Sequence, residues 1–335
     1  MKAFLKWFTF VVAIMVIIYV SGPKPVRPEY KTNLPAVPAA GEKLEEYIKA
    51  NEAVHKLKSD NEARIVWAND SVKQKTSYAI VYLHGFTASQ GEGEPVHRNV
   101  AKAFGCNLYL SRLAEHGIDT IDPMIRLTAN QYWESAKQAL AIGKQLGDKV
   151  ILVGTSTGGT NALQLAAAYP AEITALVLLS PNIAINNDKA YLLNNPWGLQ
   201  IARLVTGANA VTAKDQRPIY KKYWYHQYPF EPTVELEEML ETTMTSETFK
   251  KIQQPTLMLY YYRDSIHQDR VVSVPAMLQM FNQLATPAGK KIKKAMPNTG
   301  DHVIGSYIKS GDVEGVQREI EAFLERVVGL KKATG

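Results

Sequence analysis

Gly154-Thr155-Ser156-Thr157-Gly158 is the segment of this chain with the most chemical content. A serine hydroxyl is a weak nucleophile until a base takes its proton, and a G-x-S-x-G turn is a way to expose one. The segment follows an apolar run at 149–153 and precedes a stretch of small residues, so it reads as strand, tight turn and helix. Glycine at 154 and 158 leaves room for such a turn. The helix that follows offers free N–H groups and a partial positive charge at its start. The plainer alternative is a strand-to-helix turn whose glycines only ease packing.

A nucleophilic serine needs a base and an acid behind the base. The histidines are His55, His84, His97, His116, His226, His267 and His302. The order serine, acid, histidine asks for a base late in the chain, after the last strand, and His302 in Thr299-Gly300-Asp301-His302 meets it. The acid should follow the apolar run at 255–262. Asp264 stands at the usual distance after that strand. Asp269, in Asp269-Arg270-Val271-Val272, stands at the usual distance before the next helix. The loop is therefore a few residues longer than normal. The interval to His302 favours Asp269, with Asp264 the alternative acid and the loser of the pair a loop-capping carboxylate.

A negative oxygen formed during acyl transfer needs hydrogen-bond donors. His84-Gly85-Phe86-Thr87 ends an earlier apolar run, and Gly85 lets the backbone come close to a reacting carbonyl. The expected donors are the N–H groups of Phe86 and Thr157, each typically worth about 3 kcal/mol of barrier. The His84 side chain itself is expected to bond loop backbone.

These residues need strands and helices to position them. Apolar runs predict strands at 63–68, 78–83, 107–110, 149–153, 173–179, 256–262 and 291–296. Between them, periodic segments predict helices at 95–104, 130–146, 158–169 and 313–328, with Gly147 as a C′ residue closing the second. Strands alternating with helices imply a parallel sheet covered on both faces. Between 180 and 254 the rhythm fails and aromatics accumulate: Tyr191, Trp197, Tyr220, Tyr223, Trp224, Tyr225, Tyr228 and Phe230. An insertion of that size suggests a cap whose inner face binds an acyl or other apolar group.

Composition removes other classes. One cysteine, Cys106, allows no internal disulfide and no cysteine-rich metal site. No H-E-x-x-H or paired Cys/His spacing offers a metal, so neither a metal nor a cofactor is expected. Gly91-Glu92-Gly93 is a fragment of a phosphate loop whose glutamates would repel phosphate. The basic run Lys290, Lys291, Lys293 and Lys294 reads as a solvated edge rather than a nucleic-acid surface.

The net charge of +6 has a local source. Lys2, Lys6, Lys24, Arg27 and Lys31 face only Glu29 in the first forty residues, so the remainder is close to neutral. The five positive residues surround an uncharged apolar run at 7–20. Residues 1–22 therefore read as an uncleaved signal anchor or a signal peptide, with a buried core helix a third option. Residues 23–41, dense in proline, read as a linker holding the catalytic domain off a membrane, outside the cytoplasm.

HGFT at 84–87, Arg112-Leu113 with His116-Gly117, the helix carrying Trp133, GTSTGG at 154–159, the aspartate turn and Asp301-His302 together resemble the α/β-hydrolase superfamily. The likeness is nearest its carboxylesterase and monoacylglycerol-lipase branch. Two departures stand out: Glu115 where a glycine often precedes the histidine, and the long acid turn. The resemblance spans roughly 63–328. It implies an α/β-hydrolase domain over 42–335 with a cap at about 182–253. It also implies a serine esterase or lipase acting through Ser156, His302 and an aspartate on a small-molecule ester or lipid. Other acyl hydrolases (thioesterase, peptidase, haloperoxidase-like) share the same residues. An inactive membrane-tethered binding protein is the reading from another class.

Overall fold

The computed structural model describes residues 1–333. The strands are β1 (Arg64–Val66), β2 (Thr76–Leu83), β3 (Asn107–Leu110), β4 (Gly147–Thr155), β5 (Ala175–Leu179), β6 (Ala210–Thr212), β7 (Gln227–Pro229), β8 (Thr256–Tyr260) and β9 (Lys291–Ala295). Among the described residues, a seven-stranded sheet runs in the order β1-β3-β2-β4-β5-β8-β9, with β6 and β7 forming a separate hairpin. Only β1 is antiparallel to its neighbour; the other pairings in the large sheet are parallel.

Successive residues of a strand face opposite sides, and the core divides accordingly. Ala79, Val81 and Leu83 of β2, Leu152 of β4 and Leu178 of β5 join one apolar cluster. Ile80, Tyr82, Ile151, Val153 and Val177 join the other. The first cluster is closed by α2 (Glu42–Ala53), α4 (Ala129–Leu146), α5 (Thr157–Ala168), α8 (Glu231–Thr243) and α10 (Val274–Gln283). The second is closed by α3 (Val96–Ala103) and α11 (Val313–Phe323). Burial on both faces explains why the central strands read as continuous apolar runs. β9 is an edge strand, and the lysines in it are partly or largely exposed.

Helix α4 starts with a capping box: Thr128 Oγ1 accepts the Gln131 N–H at 3.2 Å, and Gln131 Oε1 accepts the Thr128 N–H at 3.1 Å. Its end differs from the sequence expectation. Gly147 is not a left-handed cap; it is extended and begins β4 opposite Thr76. Glycine is needed there because a Cβ would strike the Ala79 backbone N.

Two further differences concern the parts outside the sheet. The proline-rich stretch is not held clear of the domain. Leu34, Val37 and Ala40 pack on the first cluster, the Trp133 indole donates to Lys31 O at 2.7 Å, and Lys137 Nζ donates to Asn33 O at 2.9 Å. It is a strap laid across α4, because its few apolar residues find a partner in that helix face. The stretch after β5 is also more regular than its sequence suggests: it holds α6 (Gly198–Thr206), the β6–β7 hairpin, α7 (Pro218–Tyr223), α8 and α9 (Ser246–Phe249).

Helix α1 (Lys2–Val20) buries none of its residues and is long and apolar enough to cross a membrane. Its last turn meets the insertion: the Trp197 indole donates to Ile18 O at 2.9 Å, and Trp197 N–H donates to Pro23 O at 2.9 Å.

Candidate active site

The C-terminal ends of β2, β4, β5 and β8 and the insertion enclose a cavity of about 650 Å³. Ser156 enters it from the turn between β4 and α5. Its backbone is left-handed, with φ of 52°, a conformation that costs a non-glycine residue of order 1–3 kcal/mol and is held only where the surroundings fix it. The fixing groups are visible. Ser156 N–H donates to Leu179 O at 2.9 Å, and Ser156 O accepts from Asn182 N–H and Gly159 N–H, each at 2.9 Å. Gly158 lies so close to β2 that a Cβ would strike Leu83 O; at Gly154 it would strike the Gly158 carbonyl.

His302 lines the same cavity, from the loop after β9, and is buried. Its Nδ1 lies 2.6 Å from Asp269 Oδ2. The other Asp269 oxygen accepts the Val271 and Val272 N–H groups at 2.8 and 3.1 Å, so the carboxylate is fixed from both sides. Burial alone would lower the His302 pKa, but the charges of Asp269, Glu92 and Asp301 and the hydrogen bond to Asp269 overcome it and hold the pKa above its ordinary value.

Asp264 goes elsewhere. It is exposed at the tip of the lengthened turn, where Oδ1 accepts the Ile266 and His267 N–H groups at 2.9 and 2.8 Å and Oδ2 lies 2.9 Å from His267 Nδ1. Those bonds hold its pKa down, to about 2. The extra residues fold back on themselves, since Arg263 N–H bonds His267 O, Tyr262 bridges Gln268, and Asp269 N–H returns to Tyr261 O at 3.1 Å. The excursion leaves Asp269 at the strand end.

The loop after β2 passes beside Ser156. Phe86 and Thr157 both line the cavity, and among the described residues neither N–H has an acceptor within the protein. Two buried histidines shape this loop. His84 Nε2 accepts the Leu113 N–H at 3.0 Å, which leaves Nδ1 to donate to Gly85 O at 3.0 Å. His116 Nε2 accepts the Thr87 N–H at 3.1 Å while Nδ1 donates to Ala114 O at 2.7 Å. Burial drives both toward the neutral form, His84 to about 4 and His116 well below its ordinary value. Glu115 adopts a φ of 63°, which explains on steric grounds why a glycine would suit that position.

Sequence reasoning missed one residue. Glu92 lines the cavity and is almost wholly buried. Its Oε2 accepts the Gly85 N–H at 2.5 Å and lies 3.4 Å from the Tyr82 hydroxyl. Burial raises its pKa to about 7, against the lowering effect of the Gly85 N–H, the His302 charge, Tyr82 and Trp224. The available signal was the pair of glycines around it. Gly91 abuts the Tyr223 ring and Gly93 abuts His97 and Tyr82, so the turn is packed too tightly for side chains on either side of the acid.

The insertion supplies much of the remaining wall: Tyr220, Trp224, Tyr228 and Leu236 are mostly apolar, whereas Arg270, Asp301 and Lys309 make the opposite rim polar. The Asp301–Lys309 pair spans 3.2 Å.

The family described as the alpha/beta hydrolase fold matches residues 78–228 of the chain. No curated protein matches the sequence. Solved structures share the fold at low identity. A metagenome-derived lipolytic enzyme is 17% identical with a TM-score of 0.64, covering 81% of this chain and 100% of that one. A monoacylglycerol lipase from Paleococcus ferrophilus is 14% identical with a TM-score of 0.55, covering 78% and 97%. A thermophilic esterase from Thermogutta terrifontis is 16% identical with a TM-score of 0.53, covering 82% and 97%. With its mostly parallel sheet, its serine turn after β4 and the match across β2 to the insertion, the chain has the α/β-hydrolase fold.

Proposed function

We propose that the protein is a serine hydrolase of carboxylic esters, an esterase or lipase, working through Ser156, His302 and Asp269. The observation that carries this reading is the His302–Asp269 pair, at 2.6 Å, opening on the cavity that holds Ser156. The names of the structural neighbours, lipolytic enzymes, a monoacylglycerol lipase and an esterase, support the choice of an ester over another acyl compound.

In this mechanism His302 Nε2 takes the Ser156 proton as Oγ attacks the acyl carbonyl. Asp269 holds Nδ1–H and so presents Nε2 to the cavity, and its charge stabilises the imidazolium that forms. Phe86 N–H and Thr157 N–H donate to the developing oxyanion, and the start of α5 adds its partial positive charge. The imidazolium returns its proton to the alcohol oxygen as it leaves. Water, deprotonated by His302, then cleaves the acyl-enzyme and regenerates Ser156. Gly154 and Gly158 serve the turn that holds the nucleophile up. The insertion at about 182–253 acts as the cap over the site, and its aromatic wall suits an acyl chain or another apolar group. Asp264 caps its own loop. The domain division at residues 22 and 41 accompanies this reading: α1 is a membrane anchor or signal segment, and the catalytic domain lies outside the cytoplasm.

Replacing Ser156 tests the proposal. Ser156→Ala should reduce p-nitrophenyl ester hydrolysis by at least about 10³-fold with an unchanged circular dichroism spectrum. Retained hydrolysis in the folded variant contradicts it. An intact base–acid pair beside the serine weighs against a catalytically dead binding protein, in which nothing would maintain that geometry.

A further inference from the structure

A carboxylic acid placed in an apolar interior costs stability unless something uses its charge. The mechanism just given makes no use of Glu92. Its position is nonetheless built with care. A Cβ on Gly85 would stand 2.7 Å from Glu92 Oε1 and 3.0 Å from Ser156 Cβ, so the acid and the nucleophile face each other across one glycine. The turn that holds Glu92 is fastened at both ends: His97 Nε2 lies 2.9 Å from Gln90 O, Ser306 Oγ donates to Gly91 O at 2.8 Å, and Tyr307 N–H donates to Glu94 O at 2.9 Å. Ser306 and Tyr307 follow His302 in the same loop. Glu92 thus links the loop of Phe86 to the loop of His302.

We infer that Glu92 is a positioning residue of the proposed hydrolytic site, anchoring the oxyanion loop through the Gly85 N–H and giving His302 a further negative neighbour beside Asp269 and Asp301. The inference rests on Ser156 being the nucleophile. Two consequences follow. The Gly85 peptide is pinned on its N–H side by Glu92 and on its carbonyl side by His84, so the next N–H, that of Phe86, keeps one direction. The imidazolium formed at His302 meets the Glu92 carboxylate in addition to those of Asp269 and Asp301.

A purely structural glutamate would serve only as an acceptor for Gly85, and a glutamine oxygen would do the same. Charge separates the two cases. The groups facing Glu92 are Tyr82 from β2, Tyr132 from α4, Tyr220 and Trp224 from the insertion, and His302 from the loop after β9. Glu92 is raised to about 7 and His302 is held above its ordinary value, so the acid limb of the rate profile contains both as a coupled pair.

The test measures p-nitrophenyl butyrate hydrolysis by the full chain in detergent from about pH 5 to 9, together with fluorophosphonate labelling of Ser156. Glu92→Gln should lower kcat about tenfold or more with KM within about twofold. Its acid limb should move to lower pH and fit a single ionisation, because His302 has lost a negative neighbour. Tyr82→Phe removes a donor to the charged carboxylate and should move the acid limb to higher pH. Wild-type kcat with an unmoved limb in Glu92→Gln overturns the inference. If Glu92→Gln does not fold, an unmoved limb in Tyr82→Phe overturns it. Ser156 labelled with the limb unmoved sinks the role of Glu92 alone, whereas an unlabelled wild type sinks the hydrolase reading beneath it.

Discussion

His302 is held between opposed effects, and its partner decides the balance. Burial favours the neutral ring, and Asp269, fixed by two backbone N–H groups, favours the charged one. In the proposed mechanism the orientation of the ring depends on that one carboxylate. Asp269→Asn should therefore lower kcat by roughly 10³–10⁴-fold, whereas Asp264→Asn, removing an exposed loop cap, should leave kcat within about twofold. Steady-state kinetics of the two variants with one ester decide it, and a crippled Asp264→Asn beside an active Asp269→Asn contradicts the assignment. The spacing of the sequence placed both aspartates near the right strand end and favoured Asp269 by its interval to His302, with Asp264 left as the alternative. Only the hydrogen bonds that fold residues 262–268 back on themselves show which one reaches His302. Glu92 was illegible for a different reason. In sequence it is a charge among glycines, and its surroundings include Trp224 and Tyr223, which lie far from it in the chain.

At the scale of the element, the turn between β4 and α5 depends on close backbone approach rather than on side-chain contacts. Gly158→Ala should push Leu83 O away and with it the loop of Phe86. The expected outcome is a loss of more than about 2 kcal/mol in unfolding free energy and at least a hundredfold loss of ester hydrolysis, checked by denaturant unfolding and an ester assay. An active variant of wild-type stability would contradict this account of the turn. The strands were legible because both faces of the sheet are buried, which leaves uninterrupted apolar runs in β2, β4, β5 and β8. The helices of the insertion were not. They are short, apart from α8, and aromatics set by the cavity obscure their periodicity. Gly147 was misplaced because a glycine after a helical pattern has two meanings, a left-handed cap or a close approach to a neighbouring strand, and only the register with Thr76 distinguishes them.

For the whole molecule, the N-terminal segment and the domain built on the large sheet are less separate than the prolines suggest. Proline density excludes helix and central strand, but it says nothing about whether the extended chain finds a surface to lie on. Here Trp133 and Lys137 of α4 hold it by the carbonyls of Lys31 and Asn33. Removing residues 1–21 should give a chain that no longer fractionates with membranes and keeps its hydrolysis within about threefold. Removing residues 1–40 should lower the melting temperature as well, because Leu34 and Val37 leave the core surface. Membrane fractionation and thermal melts of the two truncations test this, and equal melting temperatures would contradict the docked strap.

The central claim is that Ser156 is an activated nucleophile. Labelling the intact protein with a fluorophosphonate and mapping the adduct by peptide mass spectrometry tests it most directly. The account predicts one adduct, on the Ser156 hydroxyl, that forms faster as His302 loses its proton and is strongly slowed in Asp269→Asn. Folded protein that takes no label, or takes it at another residue, would contradict it.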